Sequence, residues 1–590
     1  MKTMKHKSIL AAAACCCALV ASAAERTWDG GGADDLMSTR ENWSDDTAPG
    51  SSDTAIVHAN AAKPAIVPAG ETQYSILVLG GHGSTAQTHG EGVVVQKGGT
   101  LTVSGSDGLR IGRLDNCPGT YIISNGTLKA TNGSAFIGIH GSTGKLAIAG
   151  DGKVVVSSTA ANTGLMLASP GPGQLATTEK TYGYIEISEN GILSVANLLN
   201  VGNASGGKGY YGEVKQTGGK VYIGTLQIAA QGSGHKYIQS GGTNAVNRLH
   251  IGGGASTSGT YDLDGGLLSV TNLFHVGNNG AGTLNISGTG EVESACELVI
   301  GAGSGAGTIA MNGGKIVAKN ELQVGKDSAG TLRIDGGAVT IAKHLKIGNT
   351  SGKTGTIKQT GGSVKMGKDT SSTTFPYIGY AAGSTGVYEI SGGTFETTNT
   401  GFFVGGYGTG VLDISGSAVF TVKGNVNMCC YNTGKGTLKL RDGGRLVANH
   451  VKKHNGTAEL VEFDGGILQA RQPDEILKNL PNIQLKAGGL TLATETYKQT
   501  VTNCTFNVTD GGSITVTGSG KVTFSGCTLK FNNRPSGATY VFAEVADGSD
   551  ATLEGLPTLA GDVCSDWRLK LSEDKKKILA VPPGLMIIFK

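Results

Sequence analysis

Through the middle of the chain, apolar and polar residues alternate in short runs separated by glycine-rich corners. One unit reads Leu322-Gln323-Val324-Gly325, then Gly330-Thr331-Leu332-Arg333-Ile334-Asp335-Gly336-Gly337, then Ala338-Val339-Thr340-Ile341. The next opens at Leu345-Lys346-Ile347-Gly348 and continues through Gly355-Thr356-Ile357 to Thr360-Gly361-Gly362. Period-2 alternation over runs this short predicts three strands per unit and rules out helical pairs. The residue closing the first run falls at Gly112, Gly138, Ala168, Gly202, Ala229, Gly252, Gly277, Gly301, Gly325, Gly348, Gly379, Gly405 and Cys429. From Ala229 to Gly348 the steps are 23, 25, 24, 24 and 23 residues; longer steps elsewhere mark corner insertions.

No such unit can bury its apolar side alone, whereas stacked units share one continuous core. The pattern therefore predicts an all-β protein, a single-stranded parallel β-helix with three short strands per coil. A propeller is disfavoured because its blades need ~40–45 residues. Between Tyr74 and Asn533 the period allows roughly 18 coils, a rod on the order of 80–90 Å at ~4.8 Å per coil. The expected organisation is a signal peptide at 1–24, an N-terminal cap at 25–73, the solenoid at 74–535 and a small C-terminal β cap at 536–590. Trp28 and Trp43 fall in the first cap and Trp567 in the second. Sparse aromatics predict an interior of stacked Val, Ile, Leu and Ala. The stretch from Pro473 to Leu480 reads as the one helix-like turn, ended by Pro481. The ending from Pro582 to Lys590 reads as a final buried strand.

Composition sharpens this picture. Gly occupies 98 of 590 positions, while charged residues make up 16% and Pro only 13 residues. With hydrophobics at 38% and no G-X-Y period, collagen and a disordered chain are both excluded. Lys2, Lys5 and Lys7 precede an apolar run from Ile9 to Val20 and then Ala21-Ser22-Ala23-Ala24. That order is a secretory signal, and the run is shorter than the ~18–20 residues of a membrane span. Cys15 lacks the Leu-like residue of a lipobox, having Ala12 three positions earlier. The formal charge of +3 equals those three lysines, so the mature chain is near neutral. Nucleic acid is not an expected partner, and no transmembrane segment is expected in the mature chain. Seven Cys remain after Ala24, an odd number without CxxC spacing, which argues against both a disulfide framework and a cysteine zinc site.

The Trp28-Asp29-Gly30-Gly31 opening, Asn42-Trp43-Ser44 and the LxIG/GTLxIxGG units resemble bacterial autotransporter-associated β-strand repeat proteins. Asp464-Gly465-Gly466-Ile467-Leu468 and Gly488-Gly489-Leu490-Thr491-Leu492 are similar to the same proteins. The resemblance spans most of the mature chain. It implies an exported, passenger-type parallel β-helix, cell-surface or extracellular, without catalysis. One departure stands out: only ~55 residues follow the solenoid, too few for the ~10-residue alternating strands of a membrane barrel.

Candidate chemistry falls in columns that recur from unit to unit. The residue before each Gly-Gly pair is polar (Thr217, Ser240, Asp264, Asn312, Asp335, Thr360, Ser391, Asp442 and Asp464). No calcium nonapeptide accompanies it, so these side chains are expected to satisfy turn backbone. The centre of each first run should face solvent, giving a column Arg110, Phe136, Met166, Asn200, Gln227, His250, His275, Val299, Gln323, Lys346, Tyr377, Phe403 and Asn427. His250 and His275 stack there without the third ligand that zinc needs, so no metal or cofactor is expected. Tyr377 and Phe403 should stack, as should Tyr407 and Tyr431. They form either a carbohydrate or partner contact or a ladder that steadies the strands, and the ladder is the expected reading. The acid pairs Asp262 with Glu291 and Glu389 with Asp413 are the candidates for hydrolysis, which needs carboxylates ~5–10 Å apart across a cleft. No Arg or Lys stands beside Glu389 and Asp413 in the matching slots, although Arg333 and Lys358 hold that slot two and one coils earlier. No catalytic residue is assigned. Cys504 and Cys527, 23 residues apart, are either a disulfide or a stack of buried thiols. The neighbours Cys429 and Cys430 are expected to be unlinked.

The expected function is an exported surface or extracellular scaffold or adhesin. Corner loops after Gly138 and Ala168 and before Gly379 would carry specificity. A polysaccharide lyase or glycoside hydrolase and a carbohydrate-binding protein are the alternatives. The partner class in view is an extracellular polysaccharide or a cell-surface component.

Overall fold

The computed structural model describes residues 23–60, 62–81, 90–171, 180–203, 209–367, 375–509, 511–537 and 539–584. Residues 1–22, most of the expected signal peptide, and the last six residues, most of the expected terminal strand, lie outside these. The chain is 58% strand and 1% helix, wound as a parallel β-solenoid of about 20 turns. At ~4.8 Å per turn the rod is about 95 Å long. No helix among the described residues is long and apolar enough to cross a membrane.

Each turn contributes one strand to each of three ladders. In the first run, Leu322–Val324, Leu345–Ile347, Pro376–Ile378, Gly401–Val404 and Asn425–Met428 stack in parallel. The second ladder carries Thr354–Gln359, Thr385–Ile390, Thr409–Ile414 and Lys435–Arg441, and the third Ser363–Met366, Thr394–Thr397 and Val419–Val422. The marker residue turns the chain between the first two runs. It holds a positive φ at Gly325 (+72°), and the same left-handed turn persists without glycine at Ala168, Ala229 and Cys429.

The turn count exceeds the expected 18 because stacking begins and ends beyond the predicted repeats. Glu25–Thr27 already pairs in parallel with Thr54–Val57. Near the other end, Thr552–Glu554 and Thr558–Ala560 still pair in parallel with the preceding turn. The N-terminal opening of the core is plugged by Trp28 and Trp43, in edge contact at 5.3 Å, with Trp43 Nε1 donating to the Met37 carbonyl at 2.9 Å. At the C-terminus, Lys577–Val581 runs antiparallel to Tyr540–Val545 and Arg568–Leu571, so an antiparallel strand covers part of the last parallel edge. Covering edges in this way blocks strand addition by other chains.

Two expectations are corrected. Asp474–Lys478 is a strand, paired with the turns before and after it, and Ile476 and Leu477 are both buried. Stacking overrides the local helical preference of that segment. Nor is the interior wholly aliphatic. Phe395 and Phe420 stack face to face at 4.2 Å with Phe402 set edge-on, and Phe506, Phe524 and Phe542 form a second cluster.

The interior also holds a recurrent polar device. Gln96, Gln216, Gln239 and Gln359 are buried, and each accepts a hydrogen bond from a buried tyrosine hydroxyl of the next turn: Tyr121, Tyr237, Tyr261 and Tyr388. Their amide nitrogens donate to carbonyls of the adjoining Gly-Gly corner or the next turn, such as Gly98 and Thr127 for Gln96. These buried amides and hydroxyls thereby satisfy one another and the adjoining main chain.

Candidate functional site

The column from Arg110 to Asn427 stacks in the predicted register at every step. Its exposure differs from expectation. Phe136, Met166, Asn200, Val299, Gln323, Tyr377 and Asn427 are all buried. Flanking side chains close over them: Phe136 and Met166 form a small outer core with Ile139 and Leu198, and the Gln323 amide donates to Glu297 and Glu321.

His250 and His275 meet edge-to-face at 5.5 Å, and His275 Nδ1 contacts Asn278 Oδ1 at 3.2 Å. Burial, helped by His275 and Arg248, pushes the His250 imidazole down to about 4. Among the described residues no group of three or more His, Cys, Asp or Glu could hold a metal ion.

The structure treats the two acid pairs differently. Asp262 lies in the second ladder and Glu291 in the third, so the structure does not bring them together. Asp262 accepts from Asn285 at 2.7 Å, while Glu291 pairs with Lys315 at 2.8 Å. Glu389 and Asp413 do stack in register. Here the expectation of no neighbouring cation in the matching slots is overturned on the side that follows, because Lys439 occupies the next rung after Asp413. Arg441, two residues further on, reaches back to bind both Asp413 oxygens at 3.0 and 3.2 Å, and Lys358 pairs with Glu389 at 3.3 Å. A shallow hollow lined by Lys358, Glu389, Asp413 and Arg441 results, with each carboxylate already matched to a cation. Arg441 escaped sequence reading because it stands in register with Asp464 rather than in the Asp413 column; only its reach across a turn reveals it.

The polar residues before Gly-Gly pairs act partly between turns rather than within their own. Ser287 donates to Asp264 at 2.7 Å and Thr360 to Asp335 at 2.6 Å, each spanning one turn.

The aromatic residues form a single cluster. Tyr377 and Phe403 stack at 4.9 Å and 13°, Tyr407 and Tyr431 at 3.9 Å and 7°. The Tyr407 main-chain N–H donates to the Tyr380 carbonyl at 3.1 Å, which links the two stacks; burial, with the Tyr431 phenol near, raises the Tyr377 phenol well above its ordinary value. Two rings missed in the sequence join them. Phe375 lies 5.3 Å from Phe403 and Tyr380 5.2 Å from Tyr377, and Lys346 Nζ sits 4.8 Å over the Tyr380 ring. Tyr377 is only 9% exposed, whereas Tyr407 is 42% and Tyr431 36% exposed.

Cys504 and Cys527 are buried on adjacent rungs as free thiols, and Cys429 and Cys430 are likewise unlinked. Cys504 Sγ donates to the Thr502 carbonyl at 3.3 Å and Cys527 Sγ to that of Val501 at 3.2 Å. Burial pushes the Cys504 thiol up to about 12. The chain matches no protein-family model and no curated protein.

Proposed function

We propose that this chain is an exported, non-catalytic β-solenoid of the autotransporter-associated repeat kind, serving as a surface or extracellular scaffold or adhesin. The observation that carries this reading is the unbroken parallel stack, about 20 turns long, plugged at one end by Trp28 and Trp43 and edged at the other by an antiparallel strand. Such an object is a stiff spacer whose corners and outer columns are held at fixed separations. The acids along it support the same reading. Glu389, Asp413 and Glu291 are each tied to a cation on a neighbouring turn, so none of these three stands as a free general acid.

The competing reading is a polysaccharide lyase or hydrolase, favoured only by the hollow around Glu389 and Asp413. One experiment separates them. The full chain is expressed with its N-terminal segment in a Gram-negative host, and the mature product is recovered, its N-terminus sequenced, and the protein incubated with neutral and acidic polysaccharides. Cleavage near Glu25 without new reducing or unsaturated ends is the expected result. Products that vanish in Asp413→Asn would replace the scaffold with an enzyme, and an intact N-terminus on cytoplasmic protein would remove export.

A further inference from the structure

Ring orientation divides the aromatic cluster into two kinds of residue. Tyr377 with Phe403, and Tyr407 with Tyr431, are ladders that turn ring faces toward one another along the rod. Phe375 and Tyr380 do not stack. The Phe375 plane stands at 84° to Tyr377 and 89° to Phe403, and that of Tyr380 at 70° to Tyr377. A ladder whose only task is to hold turns together requires neither crossed ring.

Charge narrows what such a surface can receive. The second ladder carries an outward column of Lys358, Glu389, Asp413 and Lys439, whereas the aromatic cluster of the same turns presents phenols and phenyl rings. The cation above it, Lys346, is held by Glu321 at 2.9 Å. Half-buried Phe375 and Tyr380 and exposed Tyr407 and Tyr431 therefore make an uncharged surface with apolar ring area and hydroxyls at its edges. Sugar rings present the complement: apolar C–H faces rimmed by hydroxyls. For an anionic polymer the cation over the cluster is already engaged by Glu321, and the next one in the column, Lys452, lies two rungs beyond Phe403.

We propose that this cluster binds an uncharged polysaccharide, with Phe375, Tyr380, Tyr407 and Tyr431 as contacts. Tyr377 and Phe403 act beneath them as positioning residues, their stacked rings holding Phe375 and Tyr380 edge-on. The inference rests on the reading of the rod as an adhesive scaffold and names what it adheres to.

The test uses the full mature chain in native gels cast with hydroxyethylcellulose, with alginate, or with no polymer. Hydroxyethylcellulose should retard the protein and alginate should not. Retardation should weaken about tenfold in the Tyr407→Ala/Tyr431→Ala double variant, the loss of roughly 1.4 kcal/mol expected for one to two ring contacts. It should persist in Tyr222→Ala, which removes an exposed tyrosine elsewhere. Should the double variant misfold, the wild-type protein still decides: tetranitromethane should nitrate Tyr407 and Tyr431 in the free protein and spare them in the polymer's presence. Unchanged mobility, retardation by alginate alone, or nitration indifferent to the polymer each overturns the proposal. So does protection of these tyrosines by protein concentration alone, which would make the occupant a second copy of the chain. None of these outcomes touches the scaffold reading, which fails on polysaccharide cleavage or lack of export.

Discussion

The hydroxyl of Tyr388 donates to Gln359 Oε1 across one turn at 2.7 Å, and the same amide's nitrogen donates to Gly361, Gly362 and Thr394 carbonyls at 3.1–3.3 Å. One glutamine thus satisfies its own corner and the strand of the next turn, and its tyrosine partner closes the remaining acceptor. Leaving a buried acceptor unpaired costs about 1–3 kcal/mol, so Tyr388→Phe should destabilise its region by that amount. Gln359→Leu should cost more, because the Tyr388 hydroxyl and three carbonyls lose their partner together. The double variant should cost less than the two single losses added, since the pair acts as a unit. Hydrogen exchange at amides of Thr385–Ile390 is the suitable measure, because a repeat rod need not unfold in one step. Full additivity would mean the bond contributes nothing.

A second prediction concerns Gly355. It stands in register with Gly330 and Gly386 on the adjoining turns, where the second run leaves the corner. A Cβ built on Gly355 would lie 1.9 Å from the Val324 carbonyl oxygen and 2.6 Å from the Gly348 nitrogen. Backbone cannot yield as a flexible side chain would, so the rungs must part. Gly355→Ala should therefore cost at least ~3 kcal/mol, at the severe end for point substitutions. Gly352→Ala should be much milder, since its added Cβ meets nothing within 4 Å and only its positive φ is strained. Equal loss of melting temperature in both variants would show that crowding at the rung is not what selects glycine.

These two features mark where sequence reading succeeds and where it stops. Strand period and corner spacing are local, so the register from Arg110 to Asn427 follows from counting residues. Burial is not local. Tyr377 sits at an outward position yet is covered by neighbours from its own and following turns, and Arg441 reaches Asp413 from outside its column. The glutamine–tyrosine pairs were present in the sequence as Gln-x-Gly-Gly followed by Tyr at intervals of 25, 21, 22 and 29 residues. Their meaning lies in the contact between inward side chains of successive units, which the spacing of the strands does not display. The segment around Ile476 failed for the related reason that its helical preference is weak beside two strand partners.

Acid should loosen the turns around His250. The folded imidazole is pushed down to about 4 from 6.5, chiefly by burial, with His275 and Arg248 adding repulsion to the charged form. A folded value below the unfolded one means that unfolded chains take up protons first. The stabilisation is complete above pH 6.5, falls as pH drops from there toward 4, and levels off below. After allowance for partial solvent access, the loss is about 2 kcal/mol. His275 and His235 are lowered in the same direction by burial and extend the effect to nearby turns. Melting temperatures between pH 7 and pH 4 should fall less steeply in His250→Gln than in the wild type. Parallel curves would mean that other groups carry the acid sensitivity.

The thiols of Cys504 and Cys527 should be inert in the folded protein. Both are buried, at 1% and 2% exposure, and burial pushes Cys504 up to about 12, so almost no thiolate forms at neutral pH. Burial also raises Cys527, and each sulfur donates to a main-chain carbonyl of the preceding strand region. Alkylation needs both thiolate and access, so iodoacetamide at pH 8 should leave the two residues untouched in the native rod. In guanidinium without reductant both should label fully, since each exists as a free thiol. Their side chains lie on adjacent rungs, so the same peptide map reads the other outcome directly. A Cys504–Cys527 linked peptide, resistant to alkylation until reduced, would show that the rungs are covalently joined during folding. The C-terminal turns would then owe part of their stability to that constraint on the unfolded chain.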